Sequence, residues 1–196
     1  MKLARCVSFL YACGLLAAGA CGSSTKVVST WKAPTAGQTR PSRVLVVVPV
    51  RDGALRRKAE EDLAKRLPVP AVPSYTFIPD GEVSELRHYQ DQITERGFDG
   101  ILVFRIVSVA REQTWVPGAY AGPSYAFGGW PIYTPGYLDT DTKVRVDTNL
   151  YLLPDRDLVW ASTSDTFDPS STRDLVDDVA DVVIKKMMKD GVLPRE

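Results

Sequence analysis

Cysteine is scarce in this 196-residue chain: there are three, Cys6, Cys13 and Cys21, and none follows position 21. The remaining length therefore cannot be stapled by an internal disulfide and has to fold on a hydrophobic core. Histidine is scarcer still. His88 stands alone between Arg87 and Tyr89 on a charged stretch, so neither a Ser-His-Asp triad nor a zinc cluster can be assembled from the usual parts. Walker A and dinucleotide fingerprints are missing as well. Charge of one sign is missing too: 24 basic residues cancel 24 acidic ones, which excludes the basic footprint of a nucleic-acid binder. The apolar stretch from Val7 to Ala20 is shorter than the roughly 20 residues a transmembrane helix needs. These absences point away from an enzyme, a cofactor or nucleic acid, and towards a binding or scaffolding protein. Carboxylate pairs such as Asp139 with Asp141, or Asp165 with Asp168, read more simply as turn residues than as acid–base or calcium groups.

What is present begins at the N-terminus. Lys2 and Arg5 precede the apolar stretch, which ends in small residues, the layout of an export signal. Its ending, Leu16-Ala17-Ala18-Gly19-Ala20-Cys21, resembles the lipobox of bacterial lipoprotein precursors, with Ala18 where that pattern usually carries leucine. The resemblance implies that residues 1–20 are a signal peptide, that Cys6 and Cys13 leave with it, and that Cys21 is acylated at the new N-terminus. Burial of acyl chains contributes about 0.8 kcal/mol per methylene, so two or three chains anchor a protein permanently in its bilayer. Gly22 is not the aspartate that retains such proteins in the inner membrane, which favours the outer membrane with the body facing the periplasm. Residues 21–42, rich in Ser, Thr, Ala, Gly and Pro, read as a lipidated N-terminus and flexible tether. Within it, "KVVSTW" at 26–31 is read either as a short edge strand or as disordered.

Hydrophobic residues at 44% leave ample material for one core, and the pattern places a single α/β domain at 43–193. "RVLVVVPV" at 43–50 is a strand covered on both faces. Leu55, Ala59, Leu63 and Leu67 recur at helical spacing, with Arg56, Arg57, Lys58, Glu60, Glu61 and Asp62 read as a solvated face and Pro68 as the stop. A proline-bounded strand over Tyr75-Thr76-Phe77-Ile78 comes next, near the sheet edge. A second helix from Val83 carries Val83, Leu86, Gln90 and Ile93 and is capped by Gly97. "GILVFRIVSV" at 100–109 is a further buried strand, completing a βαβαβ parallel unit. Beyond it, Val144, Val146, Thr148, Leu150 and Leu152 alternate with polar residues, "PDRD" turns, and "LVWASTSDTF" returns as an antiparallel hairpin. Ser171 with Asp174 opens a final helix carrying Leu175, Val176, Val179, Val182, Val183 and Met187 to Gly191, with Asp181 and Lys185 one turn apart. The fold class is α/β (α+β): one mixed sheet, extended by the hairpin and closed by the C-terminal helix.

The stretch "KVRVDTNLYLLPDRDLVWASTSDTF" with the helix that follows resembles the C-terminal half of uncharacterised bacterial lipoproteins that carry a domain of unknown function. The element order also resembles the small α/β docking domain at the N-terminus of TolB proteins and in lipoprotein activators of cell-wall synthases. These resemblances imply an envelope location and a docking role, and they transfer no catalytic residue.

An aromatic insertion at 114–142 separates the third strand from the hairpin. Trp115, Tyr120, Tyr125, Phe127, Trp130, Tyr133 and Tyr137 lie in it among glycines and prolines, far beyond the usual loop of about 4–6 residues. Three uses fit: an apolar lid folded over an open sheet face; a docking surface for an envelope protein partner; or ring stacking on a glycan such as peptidoglycan, or seating at a membrane interface. A subunit of a secretion or assembly complex would add a defined oligomer. The expected partners are thus the bilayer through Cys21 and an envelope protein or glycan through the aromatics. Replacing Cys21 by Ser is expected to move the chain from the membrane pellet to the soluble envelope fraction and to abolish acyl mass on the mature N-terminus, as read by fractionation and mass spectrometry.

Overall fold

A computed structural model describes residues 24–121 and 132–195; the signal peptide and Cys21 lie outside them. The described residues form a six-stranded mixed sheet, a two-stranded ribbon and three α-helices: β1 (Ser24–Lys32), β2 (Val44–Val47), α1 (Gly53–Arg66), β3 (Ala71–Pro73), α2 (Gln90–Glu95), β4 (Gly100–Val116), β5 (Ala119–Ala121), β6 (Ile132–Thr134), β7 (Tyr137–Leu152), β8 (Asp157–Phe167) and α3 (Thr172–Lys189). The large sheet has the order β1-β8-β7-β4-β2-β3, with β2 parallel to β3 and β4 and the remaining neighbours antiparallel. The α/β class, the single mixed sheet and the closing helix are as the sequence pattern implies.

The two faces of the sheet are covered unequally. Val44, Val46, Leu102, Phe104, Val146, Leu150 and Trp160 point to one side, where α1 brings Ala59 and Leu63, and α3 brings Leu175, Val179, Val183 and Met187. Leu45, Val47 and Ile101 point to the other, under Ile78, Val83, Tyr89, Ile93 and Phe98. That second cover reaches only the β2–β4 end. Over β7 and β8 the same face is open.

Helix starts follow local chemistry. Asp52 caps α1, its Oδ1 accepting from the Ala54 and Leu55 amides at 2.9 and 3.1 Å. Ser171 caps α3 by accepting from the Asp174 amide. At the far end of α3, Asp190 joins three elements: the Trp160 indole donates to its Oδ2 at 2.9 Å, Lys186 pairs with its carboxylate, and Lys32 of β1 donates to its carbonyl. Burial would raise the Asp190 carboxyl, but the Lys186 and Trp160 bonds outweigh it and hold its pKa below the usual range.

Five expectations are corrected. The tether over 21–42 does not hold from residue 24 onward: β1 pairs with β8 from Ser24↔Phe167 to Lys32↔Trp160, so "KVVSTW" is an edge strand. The stretch after it is packed, with Ala33 and Ala36 buried, the Ser42 and Arg43 amides donating to Asp99, and Pro41 set so close to Gly100 that a Cβ there would meet it at 2.6 Å. The edge strand expected at Tyr75–Ile78 is instead β3 at Ala71–Pro73, because Ser74–Thr76 winds into a 3-10 turn that sends Ile78 into the core. The helix expected from Val83 is a chain of 3-10 turns leading into the short α2, although Gly97 (φ +73°) ends it as anticipated. Asp181 pairs with Arg66 of α1 rather than with Lys185, since α1 and α3 lie side by side and a guanidinium reaches across.

The fifth correction is the largest. Arg56 and Glu60, read as part of a solvated face, are fully buried. Glu60 Oε1 accepts from the Val48 amide (3.0 Å), Arg56 Nε (3.0 Å) and Ser74 Oγ (2.7 Å), while Oε2 accepts from the Tyr75 amide (2.9 Å). Arg56 also donates to the Ile78 carbonyl, to Asp80 and to Ser74 Oγ. A buried charge is tolerated only when its bonds are filled like this. Glu60→Ala takes the buried counter-charge from Arg56, leaving it the half-buried Asp80, and removes the acceptor of the Val48 and Tyr75 amides; a loss of about 3–5 kcal/mol in urea unfolding is expected, and the double change Arg56→Met with Glu60→Leu, which removes both charges, is expected to lose less.

Candidate functional site

The candidate site is an arm built by β4 and β7. β4 is buried from Gly100 to Leu102 and again at Phe104, then emerges: from Arg105 to Trp115 every residue is exposed. Its ladder with β7 continues to Val116↔Tyr137, with a bulge between Ile106 and Ser108 that increases the local twist. β8 stops at Phe167, opposite Lys143. The six residues Tyr137–Thr142 and their β4 partners therefore run about 20 Å past the sheet, at about 3.4 Å per residue, as a two-stranded ribbon. β5 and β6 extend it, pairing Ala119↔Thr134, Tyr120↔Tyr133 and Ala121↔Ile132.

Cross-strand pairs hold such a ribbon. Trp115 stands directly opposite Leu138, and Val109 opposite Val144. The Trp115 ring lies over Gly136, where a Cβ would come within 2.5 Å of the indole; only glycine admits that contact. Yet Trp115 (60% exposed), Leu138 (60%), Tyr137 (55%) and Val109 (64%) show more than half of their surface to solvent. Large apolar side chains are thus concentrated on one protrusion.

The other side of the arm's base is ionic. Arg145 and Asp165, paired across β7 and β8, form a two-pronged bridge at 2.7 and 2.8 Å. Lys143 reaches Asp165 (3.4 Å) and Glu112 (3.3 Å), and Asp147 accepts from Thr163 Oγ1 (2.8 Å) and from Arg105 (3.4 Å). The Arg145 bond holds the Asp165 carboxyl below the usual carboxylate range in spite of its burial. Asp141, nearer the tip, goes the other way: desolvation raises it, and the nearby Asp168 and Asp139 raise it further. Asp168, at φ +47°, accepts from the Thr142 amide at 2.6 Å. Among the described residues no group of His, Cys, Asp and Glu side chains is arranged to hold a metal. His88 is exposed, 3.1 Å from Glu85.

Of the seven aromatics singled out in the sequence, Trp115 and Tyr137 flank the arm's end, and Tyr120 and Tyr133 are register partners beyond it. Tyr125, Phe127 and Trp130 lie outside the described residues, as does Cys21. The lid reading does not fit Trp115 and Tyr137, because both stand out from the sheet instead of folding over it. Leu138, Val107 and Val109 were not among the expected contact residues. Neither were Val28 and Trp31, which are exposed on the edge strand β1. The signal for Leu138 was there, a lone leucine within "TPGYLDTDT", but nothing local tells an exposed leucine from a buried one.

No family model and no curated protein sequence matches the chain. Among solved structures it is similar to the PelC dodecamer from Paraburkholderia phytofirmans, with a TM-score of 0.43 and 13% identity over 89% of this chain and 99% of that one. It is also similar to lipoprotein GNA1162 from Neisseria meningitidis, with a TM-score of 0.41 and 11% identity over 76% of this chain and 99% of that one.

The Asp165 bridge sets a pH expectation. Its folded pKa lies below the unfolded value of about 3.9, so its contribution is complete above that value and is lost as pH falls through the lower folded pKa. Asp165→Asn is expected to lower the urea midpoint at pH 7, with the gap from the unchanged chain closing as the pH falls from the unfolded value through the lower folded pKa.

Proposed function

We propose that this chain is a lipid-anchored protein of the bacterial cell envelope that acts by binding or scaffolding rather than by catalysis, with the β4–β7 arm as its contact element. One observation carries the reading. Ser24, at the start of β1, stands opposite Phe167, which stands opposite Lys143 at the base of the arm. β1 and β7 both run antiparallel to β8, so β1 begins at the end of the sheet from which the arm extends. Cys21 precedes Ser24 by three residues, at most about 10 Å of chain. On this reading a lipid anchor at Cys21 acts from the end of the sheet that carries the exposed aromatics, and the arm works near the bilayer surface.

Two further features support this reading. No helix among the described residues is long and apolar enough to cross a membrane, and the lipobox-like ending at Cys21 offers a route of attachment that needs none. The arm's exposed Trp, Tyr and Leu supply rigid apolar area of the kind that dominates protein interfaces. The lipobox and Gly22 favour the outer membrane, with the body in the periplasm, where an envelope protein is the partner.

A photo-reactive residue placed at Leu138 in the native membrane is expected to crosslink to a discrete envelope protein, while the same probe at Lys185 on α3 is not. Trp115→Ala is expected to reduce that adduct severalfold while changing stability by about 1 kcal/mol or less. Loss of retention on peptidoglycan in Trp115→Ala, with no protein adduct, would replace the protein partner by a glycan. No adduct and no glycan retention would overturn the reading.

A further inference from the structure

At the opposite end of the sheet from the arm, an open groove of about 600 Å³ is floored by Ile101, Val103, Tyr151 and Leu153 and walled by Leu86 and by Ile93 of α2. It exists because the second cover ends over Ile101 and leaves Val103 of β4 and Tyr151 and Leu153 at the end of β7 only partly covered. Arg87, on the 3-10 turn before α2, and Arg156, in the β7–β8 turn at φ +62°, line it from two separate segments. Gln90 is the remaining polar side chain, and no carboxylate lines the groove. Neither guanidinium has an ion-pair or hydrogen-bond partner among the described residues, whereas Arg56, Arg57, Arg66, Arg105 and Arg145 are all paired.

We infer that this groove binds an anionic amphiphile with one acyl chain, of the fatty-acid class, the chain lying on the apolar floor and the carboxylate between Arg87 and Arg156. An apolar trough with few polar groups is the usual form of a small-molecule site, and the volume falls within the ordinary range of about 300–1,000 Å³. Guanidinium groups bind carboxylates through paired, charge-assisted hydrogen bonds. Two of them at the edge of an apolar floor select an anion over a neutral or cationic molecule of the same length. A single chain suits the volume better than a two-chain phospholipid. The acyl groups proposed on Cys21 belong to the other end: Ser24 is level with Lys143, eight residues or about 27 Å along β7 from Tyr151. The groove is thus free to take a ligand from solution.

The test uses the mature chain with Cys21→Ser, which keeps every described element and needs no detergent. Titration calorimetry compares decanoate with decyltrimethylammonium below their micelle concentrations, beside flotation with phosphatidylglycerol vesicles. Decanoate is expected to bind with a stoichiometry of one, at least about tenfold more tightly than the cation. Arg87→Glu with Arg156→Glu is expected to weaken decanoate by about tenfold or more, at an unchanged urea midpoint. Val103→Trp, which fills the floor, is expected to abolish binding. The inference is overturned if decanoate does not bind, if the cation binds equally well, if charge reversal changes nothing, or if the arginines govern vesicle flotation alone.

Discussion

The carboxylate of Glu60 is the point on which the structure turns. Fully buried, it accepts hydrogen bonds from the end of β2, from Arg56 one helical turn before it, and from the Ser74–Tyr75 turn. Arg56 in turn grips the Ile78 carbonyl and Asp80. An ion pair taken out of water brings stability only when its remaining bonds are filled, and here the segments that fill them are those whose positions must be set. α1 is fastened to the helix-covered face, and the irregular 74–80 stretch is drawn across β2 to begin the cover of the other.

From that anchoring follows the unequal treatment of the two faces. One receives two full helices; the other receives 3-10 turns and a six-residue helix that reach only as far as the start of β4. The unroofed floor beyond becomes a groove, and further along the same face the exposed parts of β7 and β8 carry a ladder of Arg, Lys and Asp instead of apolar residues. Charge on that face serves two ends: it keeps an open sheet in water, and its cross-strand pairs hold the long hairpin in register.

The arm is the other consequence. Among the described residues β4 and β7 outrun their neighbours in the large sheet, so their far ends pair with each other as a two-stranded ribbon, a marginal state on its own. Trp115 against Gly136 and Leu138 supplies the needed packing while keeping most of the ring in view. The same ring steadies the ribbon and is available for contact. β1 starts beside the arm's base, and the apolar groove lies at the other end of the sheet.

Sequence alone determined what depends on near neighbours along the chain. The apolar runs of β2 and β4, the alternation in β7, the Ser171 cap, Gly97 as a stop and the stripe of α3 were legible because each rests on periodicity or on a bond a few residues long. Tertiary structure decided what depends on the partner across space. Helical spacing puts Arg56 and Glu60 on the polar arc of α1, and only the 74–80 turn lying over them makes that arc an interior. Alternation marks β7 as half exposed, but how far it outruns β8 follows from where β8 stops. "KVVSTW" became a strand because an edge of β8 was vacant. Burial, register and exposure belong to pairs of segments, and a chain read one residue after another holds only one member of each pair at a time.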